Sequence, residues 1–305
     1  MLLIAGASGF LGANALLEAI DAGREATGVF HDTPVACDGA RTMAADLAAP
    51  GAARDTLDSI RPEWVLNCAA LADVDRCERD PDLARRVNVE LPRALAASCR
   101  EAGVRLLHIS TDSVFDGRRG NYEENDQPAP INTYSRTKLE GERAVSEELP
   151  GALIVRTNFF GVSPGERTGL ADWIIRELAV GHRIAGFTDV VFTPLLANWL
   201  VRVMFSMMDS GMSGLYHLGG SSRLTKHDFA LLLARELELD EKLVKPARLA
   251  DAELGAARPR DTSLCSSRAE EAIGKPMASV DSSIALLGKL RRSGHAERLN
   301  ALFGS

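Results

Sequence analysis

Residues 2–12 read LLIAGASGFLG. The apolar run Leu2 to Ala5 is too short for a helix and suits a buried strand. Glycines follow at every third position: Gly6, Gly9 and Gly12. From Phe10 to Ala22 the apolar residues Leu11, Ala15, Leu16 and Ile20 recur at helical spacing, and Gly23 is a natural stop. In such a strand–turn–helix, one glycine makes the tight turn, one lets the backbone approach a pyrophosphate, and one lets helix and strand pack closely. The helix N-terminus then offers its unpaired N–H groups and positive dipole end to the anion. The spacing is glycine-x-x-glycine-x-x-glycine rather than the tighter glycine-x-glycine. It still predicts a dinucleotide site.

Working outward, strand-like runs alternate with helical patterns. Glu25 to Phe30, Trp64 to Ala69, Val104 to Ile109 and Ala152 to Val155 read as strands, and Leu83 to Ala102 and Asn132 to Glu148 as helices. Pro81 stands where a first helical turn tolerates proline. This alternation predicts right-handed βαβ units, hence an α/β, Rossmann-type doubly wound parallel sheet. After about Gly161 the regularity weakens. Helices fit Leu170 to Val180, Leu195 to Met208 and Lys226 to Leu239, and a strand fits Leu215 to Leu218. The expected division is a dinucleotide-binding domain over residues 1–160 and a smaller C-terminal α/β substrate-binding domain over 161–305, with some segments returning to the first.

Composition narrows the function classes. The chain has 305 residues, 46% hydrophobic and 25% charged, with a formal net charge of −7. A chain of this size buries roughly three-quarters of its unfolded surface, so it needs no staples. The acidic balance argues against a nucleic-acid binder, and no basic run suggests a membrane surface. Leu195 to Met208 is too short to span a bilayer and carries Asn198 and Arg202, so it reads as a core helix. The cysteines at 37, 68, 77, 99 and 265 have neither disulfide nor zinc spacing, and no metal site is expected. Reduced thiols and an apolar start that runs straight into the glycine loop predict a cytoplasmic protein.

An acid at the end of the second strand would hold the ribose hydroxyls of NAD. Phe30 stands there instead, followed by His31 and Asp32. His31 could approach a 2′-phosphate, which favours NADPH slightly over NADH, although Asp32 keeps NAD use open. Further along, Tyr134 and Lys138 lie four apart in YSRTK, on one face of the predicted helix. An ammonium beside a phenol favours the phenolate and so makes its proton available to a developing alkoxide. Thr111, in ISTDSVFDG (109–117), follows a strand at the sheet edge where open α/β folds place their sites. Asn67, Ala69 and Ala70 end another strand on that edge.

The ordered strings GASGFLG, NCAALADVDRCERDP, VNVELPRALA, ISTDSVFDG, YSRTKLEGE, VRTNFFG, FTP, GLYHLGG and RPRDTSL run through most of the chain. With them the sequence resembles the extended short-chain dehydrogenase/reductases, and within these the dTDP-4-dehydrorhamnose reductases. The resemblance implies Tyr134 as general acid, Lys138 as ribose ligand that lowers the tyrosine pKa, and Thr111 as the hydroxyl that orients the carbonyl. It implies that Gly6, Ser8, Gly9, Phe10, Leu11 and Gly12 hold the pyrophosphate. Asp46 and Leu47 would meet the adenine, and Asn67, Ala69 and Ala70 would line the cleft, with Asn88 contributing from the neighbouring helix. His31, Tyr134 and Lys138 complete the cofactor contacts.

Ser113 stands where this group usually has an aromatic residue, and Phe159 where tryptophan is more usual. With Arg258, these are the expected substrate contacts. Arg156 is expected to be structural, and Asp73 and Asp75 to be solvated or loop-ordering. The implied reaction is NAD(P)H-dependent reduction of the 4-keto group of a nucleotide-linked deoxysugar. Ser113 denies Asp112 the second acid that sugar-nucleotide dehydratases usually carry. An epimerase, or a non-catalytic subunit like the regulatory one of methionine adenosyltransferase, stays open. The expected partner is the nucleotide sugar, with no nucleic acid and no membrane. A homodimer is allowed but not specified.

Overall fold

A computed structural model describes residues 1–165 and 169–304. Its centre is a seven-stranded sheet: β1 (Leu2–Ala5), β2 (Ala26–Phe30), β3 (Arg41–Ala44), β4 (Trp64–Asn67), β5 (Arg105–Thr111), β6 (Leu153–Thr157) and β7 (Gly214–Leu218). The spatial order is β7-β6-β5-β4-β1-β2-β3, and every pair is parallel. The chain builds outward from β1 through β2 to β3, then crosses to β4 on the other side. Strand order therefore reverses between β1 and β4, and the crevice at their carboxyl ends is where such sheets bind ligands.

The central strands β1 and β4 are largely apolar on both faces because both are covered. Leu3, Ala5, Val65 and Leu106 pack on α2 (Ala52–Ile60) and α3 (Leu91–Ala102). Leu2, Ile4, Leu66 and Leu107 share a second core with α1 (Phe10–Asp21) and the C-terminal helices. The helix Ala197–Asp209 lies against α1, and its polar residues Asn198 and Arg202 have a partner there. Asn198 and Arg202 both donate to the buried Glu18 carboxylate, at 2.9 and 2.7 Å. That is why polar side chains are tolerated in a core helix.

The pattern read as one helix over 83–102 is three consecutive pieces. Pro81 opens a short helix whose Asp80 cap accepts from the Leu83 amide, a wider π turn covers Arg86–Glu90, and α3 runs to Gly103. Pro92 has no N–H to return to the Asn88 carbonyl four residues back. That carbonyl faces Gly141 of α4 (Thr133–Glu148), where a Cβ would stand 2.1 Å from it. A side chain at 141 would force the two helices apart.

The strand read over 64–69 stops at Asn67, whose side chain turns back to accept from the Ala69 amide. β3, α2 and the helix Val74–Arg79 have too short or too mixed a pattern to be read in advance. In the C-terminal half, Ile184–Phe187 pairs with Val244–Ala247, and Val191–Phe192 pairs with Leu224–Thr225. Edge-on contacts from Phe229 to Phe160 and to Phe192, at 4.9 and 5.4 Å, tie these pieces to the main body. Each such pair adds about 0.5–1.5 kcal/mol beyond burial. Each of the five cysteines is a free thiol. Among the described residues no helix is long and apolar enough to cross a membrane, and no acidic, histidine or cysteine cluster could hold a metal.

Candidate active site

The glycine loop makes the floor of the crevice. Gly6 sits at φ 78°, a conformation that side-chain-bearing residues rarely adopt, and a Cβ there would meet the Ala69 backbone at 2.8 Å. Gly12 lies behind the loop: a Cβ would be 2.1 Å from the Gly6 carbonyl oxygen. It shapes the loop and does not line the cavity. Above them opens a crevice of about 1160 Å³. Gly6, Ser8, Gly9, Phe10 and Leu11 line it, with Ala69 and Ala70 facing them.

One end is wet. His31 lines the cavity and is 58% exposed, with Nδ1 3.0 Å from Asp32 and Nε2 3.9 Å from Asp46. Asp46 and Leu47 line the same end, and Asp46 also accepts from Arg86 and from the Ala48 amide. Arg86, carried in by the π turn, is a cation at this end that the sequence pattern does not single out.

The other end is dry. Asn132 caps α4 through the Ser135 amide, and Glu78 fixes Thr133 through both its amide and its hydroxyl. The capped helix presents Tyr134 and Lys138 to the crevice, beside Thr111 and Ser113 from the end of β5. Tyr134 is hydrogen-bonded to Thr111, yet burial pushes its hydroxyl up to about 12. Lys138 is 2% exposed and donates to the Ile109 carbonyl at 2.7 Å. Burial lowers it to about 8, against the pull of Glu142 one turn on. The ammonium is directed at the strand backbone, and the group that favours the phenolate is the Thr111 hydroxyl.

Asp112 is buried and lines the crevice floor. Its carboxylate accepts from Thr262 at 2.5 Å, Asn158 at 2.8 Å, and Thr111 and Ser113 at 3.2 Å. Burial still raises its pKa. It fastens the C-terminal segment around Thr262 beneath the Thr111 loop. Phe159 lines the cavity and meets Phe10 edge-on at 5.4 Å.

Three further expected site residues stand behind the cavity wall. Asn67 contacts His108 Nδ1 at 3.0 Å and receives the Ala69 amide, so it shapes the strand end. Asn88 accepts from the Leu71 amide through Oδ1 and donates through Nδ2 to the Leu71 carbonyl and to Thr137. Arg258 pairs with Asp75 at 3.0 Å and donates to the Ala256 carbonyl, outside the crevice lining. Asp75 is thus an ion-pair partner, whereas Asp73 caps the helix 74–79 as a loop-ordering residue.

Arg156 is bound by both carboxylate oxygens of Glu142, at 2.9 and 2.7 Å, and Ser110 donates to the same group. Both side chains of the pair are over 90% buried, at 4 and 7% exposure. His217 beside them is neutral, pushed down to about 3 by burial. Glu142 follows Tyr134 by eight residues on the same face of α4, a spacing that could have marked it.

The family described as the RmlD substrate binding domain matches residues 1–289. The chain is 34% identical over 288 residues to the probable low-salt glycan biosynthesis reductase Agl14 of Haloferax volcanii, covering 93% of this chain and 96% of that one. It is 31% identical over 272 residues to dTDP-4-dehydrorhamnose reductase of Mycobacterium tuberculosis, covering 87% and 84%. A crystal structure of a dTDP-4-dehydrorhamnose reductase from Clostridium acetobutylicum superposes with a TM-score of 0.82 at 26% identity, over 95% of this chain and 99% of that one. From the glycine loop to the C-terminal helices, the chain belongs to the RmlD substrate binding domain family.

Proposed function

We propose that the protein is an NAD(P)H-dependent reductase of the 4-keto group of a nucleotide-linked deoxysugar, with dTDP-4-dehydrorhamnose the first substrate to test. The observation that carries this reading is the meeting of Thr111, Tyr134 and Lys138 with the glycine loop in one crevice. The backbone cradle at Gly6, which a Cβ would fill, suits a dinucleotide pyrophosphate. Ser8, Gly9, Phe10 and Leu11 would hold it, with Asp46 and Leu47 at the adenine. His31 and Arg86 at the wet end support NADPH over NADH. When bound, the nicotinamide supplies the hydride for the carbonyl carbon.

The remaining work falls to side chains. Thr111 orients the carbonyl, and Tyr134 gives its proton to the oxygen as the alkoxide forms. A hydroxyl held up near 12 is fully protonated at neutral pH, the state a reductase needs. Lys138 supplies a donor for the ribose. Ser113 and Phe159 face the sugar. Residues 1–160 carry the dinucleotide and 161–305 mainly the substrate, with β7 returning to the sheet. The five free thiols support a cytoplasmic setting.

The test follows loss of reduced-nicotinamide absorbance with NADPH and NADH in parallel, on dTDP-4-dehydrorhamnose made in situ. Turnover that collapses in Tyr134→Phe supports the reading and ranks the cofactors. Tight cofactor binding without turnover rejects this substrate and shifts weight to another nucleotide sugar, or to a non-catalytic subunit.

A further inference from the structure

Lys226 is a cation in an unfavourable place. It opens the helix Lys226–Glu236, where the dipole repels positive charge. It is only partly exposed, and burial lowers its pKa. Its ammonium lies 6.0 Å above the Phe192 ring, and Phe192 itself is buried. Arg258, a like charge, disfavours its charged form further.

The carboxylate acting on it is Asp112, which is already occupied by four donors. The acid in its own first turn, Asp228, is engaged by Thr225 and His227. Among the described residues the Lys226 ammonium has no hydrogen-bond or ion-pair partner. The Lys226 amide donates to the Val190 carbonyl at 2.9 Å, the adjoining Val191 carbonyl accepts from the Thr262 amide at 3.1 Å, and the Thr262 hydroxyl donates to Asp112, so the backbone ties the start of this helix to the reacting end of the crevice. Arg258, for its part, is held by Asp75 and the Ala256 carbonyl.

A partly desolvated charge without a partner costs stability, and such a cost persists where a ligand repays it. We infer that Lys226 is a seat for an anionic oxygen group of the substrate, namely a phosphate of its diphosphate bridge. This rests on the nucleotide-sugar reading above. A sugar carboxylate offers the same chemistry from a second source.

The test is calorimetric titration of dTDP into the full chain saturated with NADP⁺, using wild type, Lys226→Met and Lys226→Arg. Lys226→Met is expected to weaken dTDP by about tenfold or more, the scale of one charged hydrogen bond. Lys226→Arg should hold it within about threefold, and NADP⁺ affinity should not move in either variant. Lys226→Met should also raise the melting temperature of the ligand-free protein, by about 2 °C.

Parallel titrations with UDP-glucuronate and UDP-glucose separate the sources. If Lys226→Met spares dTDP but removes a preference for glucuronate, the seat takes a sugar carboxylate. Unchanged affinity for all three ligands in Lys226→Met, or no dTDP binding by wild type, overturns the inference. Wild-type turnover of the keto sugar with an indifferent Lys226 sinks the seat alone. A dTDP affinity that depends on Lys226, without reduction of the sugar, keeps the seat and sinks the reductase.

Discussion

The two ends of the crevice handle charge in opposite ways. At the wet end His31, Asp32, Asp46 and Arg86 contact one another in water, and the Arg86 side chain is 52% exposed. At the dry end burial has moved Tyr134 to about 12, Lys138 to about 8 and Asp112 upward. Charges that water can screen sort one ligand from another. Charges that water cannot reach are costly to place, and there the same side chains can drive proton transfer. Four substitutions test that contrast.

Tyr134→Phe should lower kcat by about 10³-fold, since it removes the proton donor from the dry end. Cofactor affinity, read by fluorescence titration, should stay at the wild-type value. If the mutant still turns over, the dry end does not carry the chemistry.

Arg156→Met should cost about 3 kcal/mol or more in urea unfolding, because it strands the buried Glu142 carboxylate. A loss below about 1 kcal/mol would mean that water reaches this pair after all.

The third substitution concerns pH. Lys138 holds its proton to about pH 8 when folded, against an ordinary 10.5. Between these values the unfolded chain binds a proton that the folded chain lacks, so stability rises with pH across that window. Lys138→Met should abolish up to about 3 kcal/mol of that rise. In activity the sign reverses: the charged lysine is the working form, and the rate should fall as pH climbs through about 8.

The smallest effect belongs to the wet end. Arg86→Ala should change stability by less than about 0.5 kcal/mol, as exposed pairs do. It should lower the NADPH-to-NADH preference by about threefold, more at low salt than at high salt. A large stability loss here would erase the distinction between the ends.

Much of this was legible in the sequence. The first strand and helix stand where the glycine spacing puts them, and Asn132 caps the helix that brings Tyr134 and Lys138 to the crevice. Local pattern suffices there because each element is a run with one period. What stayed hidden depends on partners distant in sequence. The Glu142–Arg156 pair spans a helix and a strand, and Glu18 meets Arg202 across 184 residues. Asn67 was read as a ligand contact, whereas its amide braces the loop that follows β4. The two-residue strands at Val191–Phe192 and Leu224–Thr225 have no period to detect. Arg86 opens the π turn Arg86–Glu90, which has no sequence period to detect.

The last strand of the main sheet, Gly214–Leu218, has a consequence for biosynthesis. A ribosome delivers β6 at residues 153–157, but its neighbour β7 ends only at residue 218. At about 5–20 residues per second, β6 waits on the order of 3–12 s with an unpaired edge. Throughout that interval the nascent chain offers an apolar template, Leu153 to Val155, to any other strand in reach. A polypeptide released at residue 160 would keep that edge for good, and aggregation rather than a free-standing cofactor domain is its expected fate.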